Sequence, residues 1–264
     1  MVFSWRDFNN WKRDIQSIIY NIIDEPLIQE IREKAPDCQI IGDLYWLNTL
    51  ITKQENKSDI DVVTVLMEHF QKKYVAVRAF HGCRPKHLSS YTTHGLIPFK
   101  PDTFQKIAHE YFLTIGHTEE VARKLEEISE VQSQLLYEGE VSFHIDANFI
   151  VDCAGYYLIY GSHSLFATAI LLSRATDIDF KKILAKQGKQ TVFVCDIPLY
   201  MLSFNTIKTL CKTILAAIIL DINQTELRTT ECYLAVKDKL PAEFIVSYYH
   251  PNLVKDVLYG NHII

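Results

Sequence analysis

Segments with helical and strand-like apolar patterns alternate irregularly along this chain, and that order constrains its fold more than any other feature. Up to about residue 70, apolar side chains recur at three- and four-residue steps, the spacing of amphipathic helices. From residues 74–80 onward, short segments rich in β-branched and aromatic residues interrupt the helical ones. A doubly wound sheet requires strands and helices in regular alternation, so the irregular order predicts an α+β fold.

The predicted elements divide the chain into two parts. The predicted strands cover residues 74–80, 141–145, 156–160, 191–195, 232–236 and 244–249. The predicted helices after the first 60 residues cover 62–70, 103–136 with a break near Gly116, 164–174, 180–186 and 205–220. We therefore expect an N-terminal helical segment at 1–72 and a domain at 73–264 that carries a helical insertion at about 103–136.

Charge and apolar content narrow the classes of partner. The formal net charge of -5 gives no general basic surface for nucleic acid, although a local basic groove is compatible with it. The longest apolar run, residues 214–219, is far shorter than the roughly 20 residues that cross a bilayer. The N-terminus lacks the basic and apolar regions of a signal peptide, and the six cysteines form no CxxC pair. These features predict a cytoplasmic protein with reduced cysteines and no membrane partner.

The first candidate site follows the strand at 74–80, which leads into His81-Gly82-Cys83-Arg84-Pro85. A histidine beside a glycine puts a polar ring next to backbone that a ligand can approach closely. Residues 91–98 then predict a short turn with a second glycine. The ordinary alternative is an exposed histidine at a strand end.

Two later segments also end or begin a predicted strand with a polar group. The strand at 156–160 places Tyr160 at its end, before a helix that Ser162 or Ser164 can cap. Glu243 precedes the apolar strand at 244–249. Taken singly, Tyr160 fits a core-edge aromatic residue and Glu243 fits a solvated loop carboxylate.

Together the three segments resemble the ADP-ribosyltransferase family, in its diphtheria-toxin and poly(ADP-ribose) polymerase branch. Members carry a strand that ends in His-Gly, a strand that ends in Tyr before a helix, and a Glu at the head of a late strand. Here the same order gives His81, Tyr160 and Glu243. The resemblance covers about residues 74–259, and it implies two small antiparallel sheets that form a cleft.

The resemblance implies that NAD is the substrate and that His81, Tyr160 and Glu243 are catalytic. It assigns NAD binding to five residues: His81, Gly82, Arg84, Tyr160 and Ser162. In that assignment the Gly82 backbone would bind the nicotinamide amide, His81 a ribose hydroxyl and Arg84 the pyrophosphate. Tyr160 would pack on nicotinamide, and Glu243 would stabilise the oxocarbenium-like sugar as nicotinamide leaves.

Two positions depart from the family pattern. Cys83 stands where members commonly have threonine, and Leu171 falls where many have a second tyrosine that stacks on nicotinamide. The second departure leaves the stacking partner open between Tyr156 and Tyr157.

The implied activity is mono-ADP-ribosyl transfer to a macromolecule, either protein or nucleic acid. Transfer of one group is preferred over polymer synthesis because no extra acceptor-site feature is present. Members of similar architecture act as toxins, phage-defence effectors or regulators, which is analogy only. Alternatives on the same fold are an RNA 2′-phosphotransferase-like enzyme, an NAD hydrolase and an inactive binding module. An unrelated α+β protein is a further alternative.

Two other chemistries are not favoured by the sequence. His81, Cys83, His87 and His94 lack the spacing of zinc ligands, so no metal is expected. A cysteine nucleophile at Cys83 or Cys153 needs an activating histidine or helix N-terminus, which nothing in the sequence requires.

Overall fold

The computed structural model describes residues 1–20, 25–34, 45–55, 61–98, 100–113, 119–135, 139–222, 229–256 and 260–263. The helices through the insertion are α1 Phe8–Tyr20, α2 Glu25–Lys34, α3 Tyr45–Glu55, α4 Val62–Lys73, α5 Leu88–His94, α6 Pro101–Phe112 and α7 Glu119–Leu135. The later helices are α8 Ala147–Asp152, α9 Tyr156–Tyr160, α10 His163–Ala175, α11 Phe180–Ala185 and α12 Phe204–Ile222. Within these ranges, no helix combines the length and the apolar character needed to cross a membrane.

The strands are β1 Val2–Ser4, β2 Ala76–Cys83, β3 Val141–His144, β4 Thr191–Pro198, β5 Tyr233–Val236, β6 Ile245–Tyr249, β7 Leu253–Asp256 and β8 Gly260–Ile263. Short 3₁₀ turns follow β4 at Leu199–Met201 and precede β6 at Ala242–Phe244. The chain is therefore a mixed α+β protein, as its sequence predicted. The predicted helices at 62–70, 164–174, 180–186 and 205–220 are confirmed within a few residues, and so are both helices of the insertion.

Two compact units alternate along the chain. One comprises Met1–Arg78 and Ile197–Leu234, and the other comprises Ala79–Asp196 and Ala235–Ile264. The sequence predicted a single division near residue 72, whereas the structure groups α12 with the N-terminal helices. A helix as apolar as α12 needs a partner for its buried face, and its contacts include α4, α1 and α2.

The first unit packs around the ring of Phe3. This buried residue of β1 lies 5.6 Å from the ring of Trp11, 5.1 Å from Phe70 and 5.4 Å from Tyr74. β1 pairs in parallel with the first three residues of β2. The amphipathic pattern of the N-terminal segment is thus explained by packing of α1 and α4 against one aromatic cluster.

The central strands have the order β5-β3-β2-β4-β6, and most of their residues belong to the second unit. β2 and β3 are antiparallel with Phe80 opposite His144, and β4 and β6 are antiparallel with Cys195 opposite Ile245. β7 and β8 form a separate antiparallel ribbon. The helices α6 to α11 contribute to an apolar core that also contains Val192 of β4 and Val254 of β7.

The predicted strand at 156–160 is wrong, because these residues form the helix α9. A short apolar run does not distinguish a buried strand from a buried helical turn. Here Leu158, Ile159 and Tyr160 are buried, and α9 contacts α10, α11 and β7. Gly161, with φ of 89°, then ends the helix.

Two further predictions near the first candidate site are corrected. Residues 91–98 were predicted as a turn, but residues up to His94 belong to α5, which Gly95 ends. β2 extends to Cys83, so His81 and Gly82 lie inside a strand and not after it. Tyr91 packs its ring on Phe193 at 5.1 Å, and this packing favours a helix at a sequence that otherwise reads as a turn.

Gly155→Ala should destabilise the protein because β7 lies directly against this glycine. A Cβ at residue 155 would overlap the Lys255 carbonyl oxygen and lie 2.7 Å from Val254 Cγ1. We expect a loss of about 2 kcal/mol or more in the free energy of unfolding, as overpacking costs. Urea titration followed by circular dichroism measures it.

Gly139→Ala is the matched control for this substitution. Its φ of 61° strains an alanine by about 1 kcal/mol, but its nearest neighbour would be 3.9 Å away. Equal losses in the two variants would mean that β7 can withdraw from α9 without cost.

Candidate functional site

His81 is held in one tautomer by the neighbouring strand. Its Nδ1 lies 2.8 Å from the carbonyl oxygen of Ser142, and its ring centroid lies 5.7 Å from that of Phe143. A carbonyl only accepts, so Nδ1 carries the proton and Nε2 of the neutral ring is an acceptor. Burial lowers the pKa of His81, and the Ser142 bond opposes that shift. The half-buried His81 can therefore accept a hydrogen bond from a hydroxyl group.

His144, which the sequence analysis missed, lies beside His81. It is 8% exposed, and its ring lies 4.7 Å from that of Phe149. Burial first, and then the His81 charge, lower the pKa of His144 to about 4, while Asp146 acts in the opposite direction. The sequence contains a pattern that could have identified His144, because His144-Ile145-Asp146 stands at the end of a predicted strand just as His81-Gly82 follows one.

Gly82 brings β2 into direct contact with α8 and α9. A Cβ at this position would lie 2.7 Å from Ile150 Cγ2 and 3.5 Å from Tyr157 Cβ. Strand alternation then directs the side chain of His81 to the opposite face of the sheet. The backbone of residues 81 and 82 thus lies between an imidazole on one face and an aromatic helix on the other.

Tyr156 and Tyr157 are both half-buried, and their ring centroids lie 4.3 Å apart. A hydrogen bond joins the two side chains, and burial raises the pKa of Tyr157. Tyr156 also contacts the ring of His163 at 5.9 Å. Of the two stacking candidates, Tyr157 is the one whose Cβ lies against Gly82.

Tyr160 is a packing residue in this structure. It is 5% exposed, its ring stacks on Phe166 at 4.5 Å, and its hydroxyl donates to Asp256 Oδ2 at 3.0 Å. Asp256 is itself fully buried in β7. The ring that the family resemblance assigns to nicotinamide is therefore covered by Phe166 on one face and tied to β7 at its hydroxyl.

Arg84 is held by carbonyl groups at the end of β2. It is 9% exposed, and it donates from Nε to Gln187 O at 2.8 Å and from Nη1 to Leu158 O at 3.1 Å. Burial lowers the pKa of Arg84. Within the described residues Nη2 makes no hydrogen bond, so this nitrogen is the part of Arg84 that can still meet an anion.

The insertion closes a ring of hydrogen bonds around Arg84. Gln187 Nε2 donates to Tyr111 O at 2.7 Å, and the Tyr111 hydroxyl donates to Arg84 O at 3.4 Å. Lys86 Nζ lies 4.0 Å from the centre of the Tyr111 ring. Helix α6 therefore fixes the segment that directly follows His81 and Gly82.

Ser162 is the N-cap of α10, as one of the two predicted alternatives stated. Its Oγ accepts from the backbone N–H of Leu165 at 3.1 Å. The residue is half-buried, and its side-chain oxygen is engaged in capping the helix.

Glu243 is exposed on the Ala242–Phe244 turn at the head of β6. Backbone hydrogen bonds of 2.9 Å in both directions between Leu96 and Leu240 hold the segment before it. The turn also contacts α5. Glu243 is thereby fixed relative to the segment that follows β2.

The strand order gives the approximate separation of Glu243 and His81. β4 lies between β2 and β6, and strands are spaced by about 4.8 Å, so β2 and β6 are about 10 Å apart. Lys189 N donates to Pro85 O, which places the start of β4 beside the end of β2. In the same antiparallel register His81 lies opposite Phe193, which is two residues before Cys195, the partner of Ile245. The backbones of His81 and Ile245 are thus about 12 Å apart, and Glu243, two residues before Ile245 on the 3₁₀ turn, lies about 15 Å from His81.

In the described ranges, histidine, cysteine, aspartate and glutamate nowhere gather in a group of three that could hold a metal ion. Comparison of the chain with protein-family models, with curated proteins and with solved structures finds no match. The residues themselves are therefore the basis for any functional assignment.

Removing His144 should reduce the acid sensitivity of the fold. Its folded pKa of about 4 lies below the ordinary 6.5, so its share of stability is lost as pH falls from 6.5 towards 4. For His144→Phe we expect the drop in unfolding free energy between pH 7 and pH 5 to shrink by about 2 kcal/mol. Urea titrations at the two pH values measure this drop.

The exposed His69→Phe variant is the control for the substitution itself. If the drop in His144→Phe equals that of the wild type, His144 is not held neutral in the folded protein.

Tyr160→Phe tests the bond to the buried Asp256 carboxylate. Loss of one donor to a fully buried carboxylate should lower the unfolding free energy by about 2 kcal/mol. The exposed Tyr200→Phe should change it little. Chemical denaturation at neutral pH measures the free energy of unfolding of both variants. Equal stabilities would show that another donor takes the place of Tyr160.

Proposed function

We propose that this chain transfers the ADP-ribose group of NAD to a macromolecule and releases nicotinamide. The observation that carries the proposal is the contact of Gly82 with Tyr157, which joins the His-Gly pair to an aromatic pair. His81 and the exposed Glu243 complete the set at a backbone separation of about 15 Å. NAD is long enough to meet all of these groups at once.

The environment of each of these groups suits the role that we propose for it. The backbone of Gly82 binds the nicotinamide amide, and Tyr157 or Tyr156 stacks on the nicotinamide ring. Tyr160 supports these tyrosines from the core and does not touch nicotinamide. Nε2 of neutral His81 accepts from a ribose hydroxyl. Arg84 provides positive charge for the pyrophosphate through Nη2.

Glu243 acts at the step that breaks the glycosidic bond. As the bond from C1′ to the nicotinamide nitrogen lengthens, positive charge develops on the ribose. The carboxylate of Glu243 binds the 2′-hydroxyl of that ribose and stabilises the charge. A nucleophilic atom of the acceptor then bonds to C1′ and loses its proton, while nicotinamide leaves with the electron pair. Water in place of the acceptor would give hydrolysis.

Glu243→Gln should abolish most of the activity without affecting the fold. Loss of one charge that stabilises the transition state reduces turnover by about 100-fold or more. The side chain is exposed, so the free energy of unfolding of the variant should stay within about 0.5 kcal/mol of that of the wild type. Nicotinamide release and transfer of label from labelled NAD to lysate components are the measurements.

Glu126→Gln, an exposed carboxylate on α7, is the matched control and should retain full activity. Nicotinamide release without transfer of label would identify an NAD hydrolase. If the wild type neither consumes nor binds NAD, the proposal fails.

A further inference from the structure

The most exposed apolar side chains of the described residues form a group in the first compact unit. Of the large apolar side chains in those residues, the four most exposed are Tyr200 at 81%, Met1 at 70%, Val75 at 68% and Phe204 at 60%. All four belong to the first unit. Single exposed apolar residues are ordinary on a protein surface, but a group of them marks an interaction surface. We call these four residues the apolar patch.

Backbone hydrogen bonds bring the apolar patch to one end of the central sheet. The N–H of Val75 donates to the Met1 carbonyl oxygen at 2.9 Å. The N–H of Leu199, the neighbour of Tyr200, donates to the Val75 carbonyl oxygen at 3.0 Å. β1 and β2 therefore begin where β4 ends, and Phe204 follows four residues after Tyr200, at the start of α12. The four residues are thereby neighbours at that end of the sheet.

Regular backbone structure holds the two aromatic residues of the apolar patch in place. Tyr200 belongs to the 3₁₀ turn Leu199–Met201. Phe204 is the first residue of α12, and the Ser203 hydroxyl before it accepts from the backbone N–H of Thr206 at 3.1 Å. Side chains on a fixed backbone lose less conformational freedom when a partner covers them. The apolar patch is therefore preorganised for contact.

The centre of the apolar patch is uncharged. Residues 199–205 contain no charged side chain, and Lys73, two residues before Val75, is paired with Asp14. Lys72 and Lys208 stand near the border of the patch, where charged groups stay in solvent on association. Binding to anionic lipid uses clusters of about four to eight lysines or arginines, more than these two. The chemistry of the patch is instead complementary to another uncharged apolar surface.

The area of the apolar patch is sufficient for a dimer. An aromatic side chain presents about 200 Å² and a valine or methionine about 100 Å², so the exposed fractions give about 400 Å² of apolar surface per molecule. Two copies contribute about 800 Å², and since about 60% of an interface is apolar, the whole interface would bury about 1,300 Å². Stable specific interfaces bury about 1,200–2,000 Å², so this value lies within their range.

We propose that two copies of this chain associate through the apolar patch about a two-fold axis, with the patch of one copy against that of the other. The proposal is independent of the proposed function. A two-fold contact uses the same surface of both copies, and an uncharged centre covers itself without burying an unpaired charge. Val75 lies between Met1 and Leu199 in the sheet, so it stands in the middle of the patch and near the axis.

Sedimentation-velocity ultracentrifugation of the purified full chain tests the association directly. At about 100 µM the wild type should sediment as a dimer, because its interface has the size of a stable one. Y200S/F204S should be monomeric at the same concentration, since the loss of two central aromatic side chains should weaken association by about 100-fold or more. Y200F/F204Y retains both rings and should remain a dimer.

Two variants at Val75 test the two-fold arrangement. V75E and V75K should each be monomeric, because like charges would meet near the axis. An equimolar mixture of the two should form a dimer with one chain of each kind, because opposite charges then meet. These variants also keep the proposal testable if Y200S/F204S fails to fold, which circular dichroism would show.

The matched control is V131S/L253S, which removes two exposed apolar side chains of the second unit and should leave the dimer intact. A wild type that stays monomeric, or a dimer that persists in Y200S/F204S, overturns the proposal. A mixture of V75E and V75K that stays monomeric overturns the contact of the patch with itself. Co-sedimentation of a monomeric wild type with vesicles of phosphatidylserine and phosphatidylcholine would also overturn it and would identify the patch as a membrane surface.

Discussion

The geometry of the candidate site depends on the packing of one helical turn, α9, between β2 and β7. Gly82 lets β2 approach one face of α9, and Gly155 lets β7 approach its start. The Tyr160–Asp256 hydrogen bond holds its end. A side chain at either glycine would separate these elements, so the absence of a Cβ at both positions sets the position of Tyr156 and Tyr157. Close-packed interiors transmit such small displacements because they contain little empty volume.

Burial sets the protonation states of several side chains in the second unit, and these states suit recognition of a neutral hydroxyl group. His81 and His144 are neighbours, and each loses basicity through desolvation. Two neutral imidazoles avoid the repulsion that two neighbouring cations would have. Arg84 keeps its charge at the cost of burial, and the carbonyls of Gln187 and Leu158 compensate for part of that cost. The positive Arg84 and the neutral acceptor His81 thus lie three residues apart in the chain.

The sequence predicted the fold class and most of the longer helices because amphipathic periodicity reports burial of one face directly. It failed at residues 156–160 and 91–94, where the run is short and tertiary contacts decide. In α9 the apolar run is equally compatible with both periods, and packing against α10, α11 and β7 decides between them. The same limit applied to the site. His81, Gly82 and Glu243 were predicted because each is polar or small at a predicted strand boundary. His144 also stands near such a boundary, but its place beside His81 depends on the pairing of β3 with β2. The burial of Tyr160 follows from Asp256, 96 residues away, which no local pattern reveals.

The contrast between Glu243 and His81 bears on how such a site would work. A carboxylate that stabilises a developing cation must be close to the sugar, yet burying it without a partner would cost several kcal/mol. The structure leaves Glu243 in solvent on a short turn and fixes only the backbone before it, through Leu96 and Leu240. The side chain can then lose its hydration when a substrate arrives, so the desolvation cost is met by substrate binding and not by folding. In the proposed function His81 acts in its neutral form, which burial in the folded protein favours. The two groups therefore require opposite environments, and a strand interior and an exposed turn two strands away provide them.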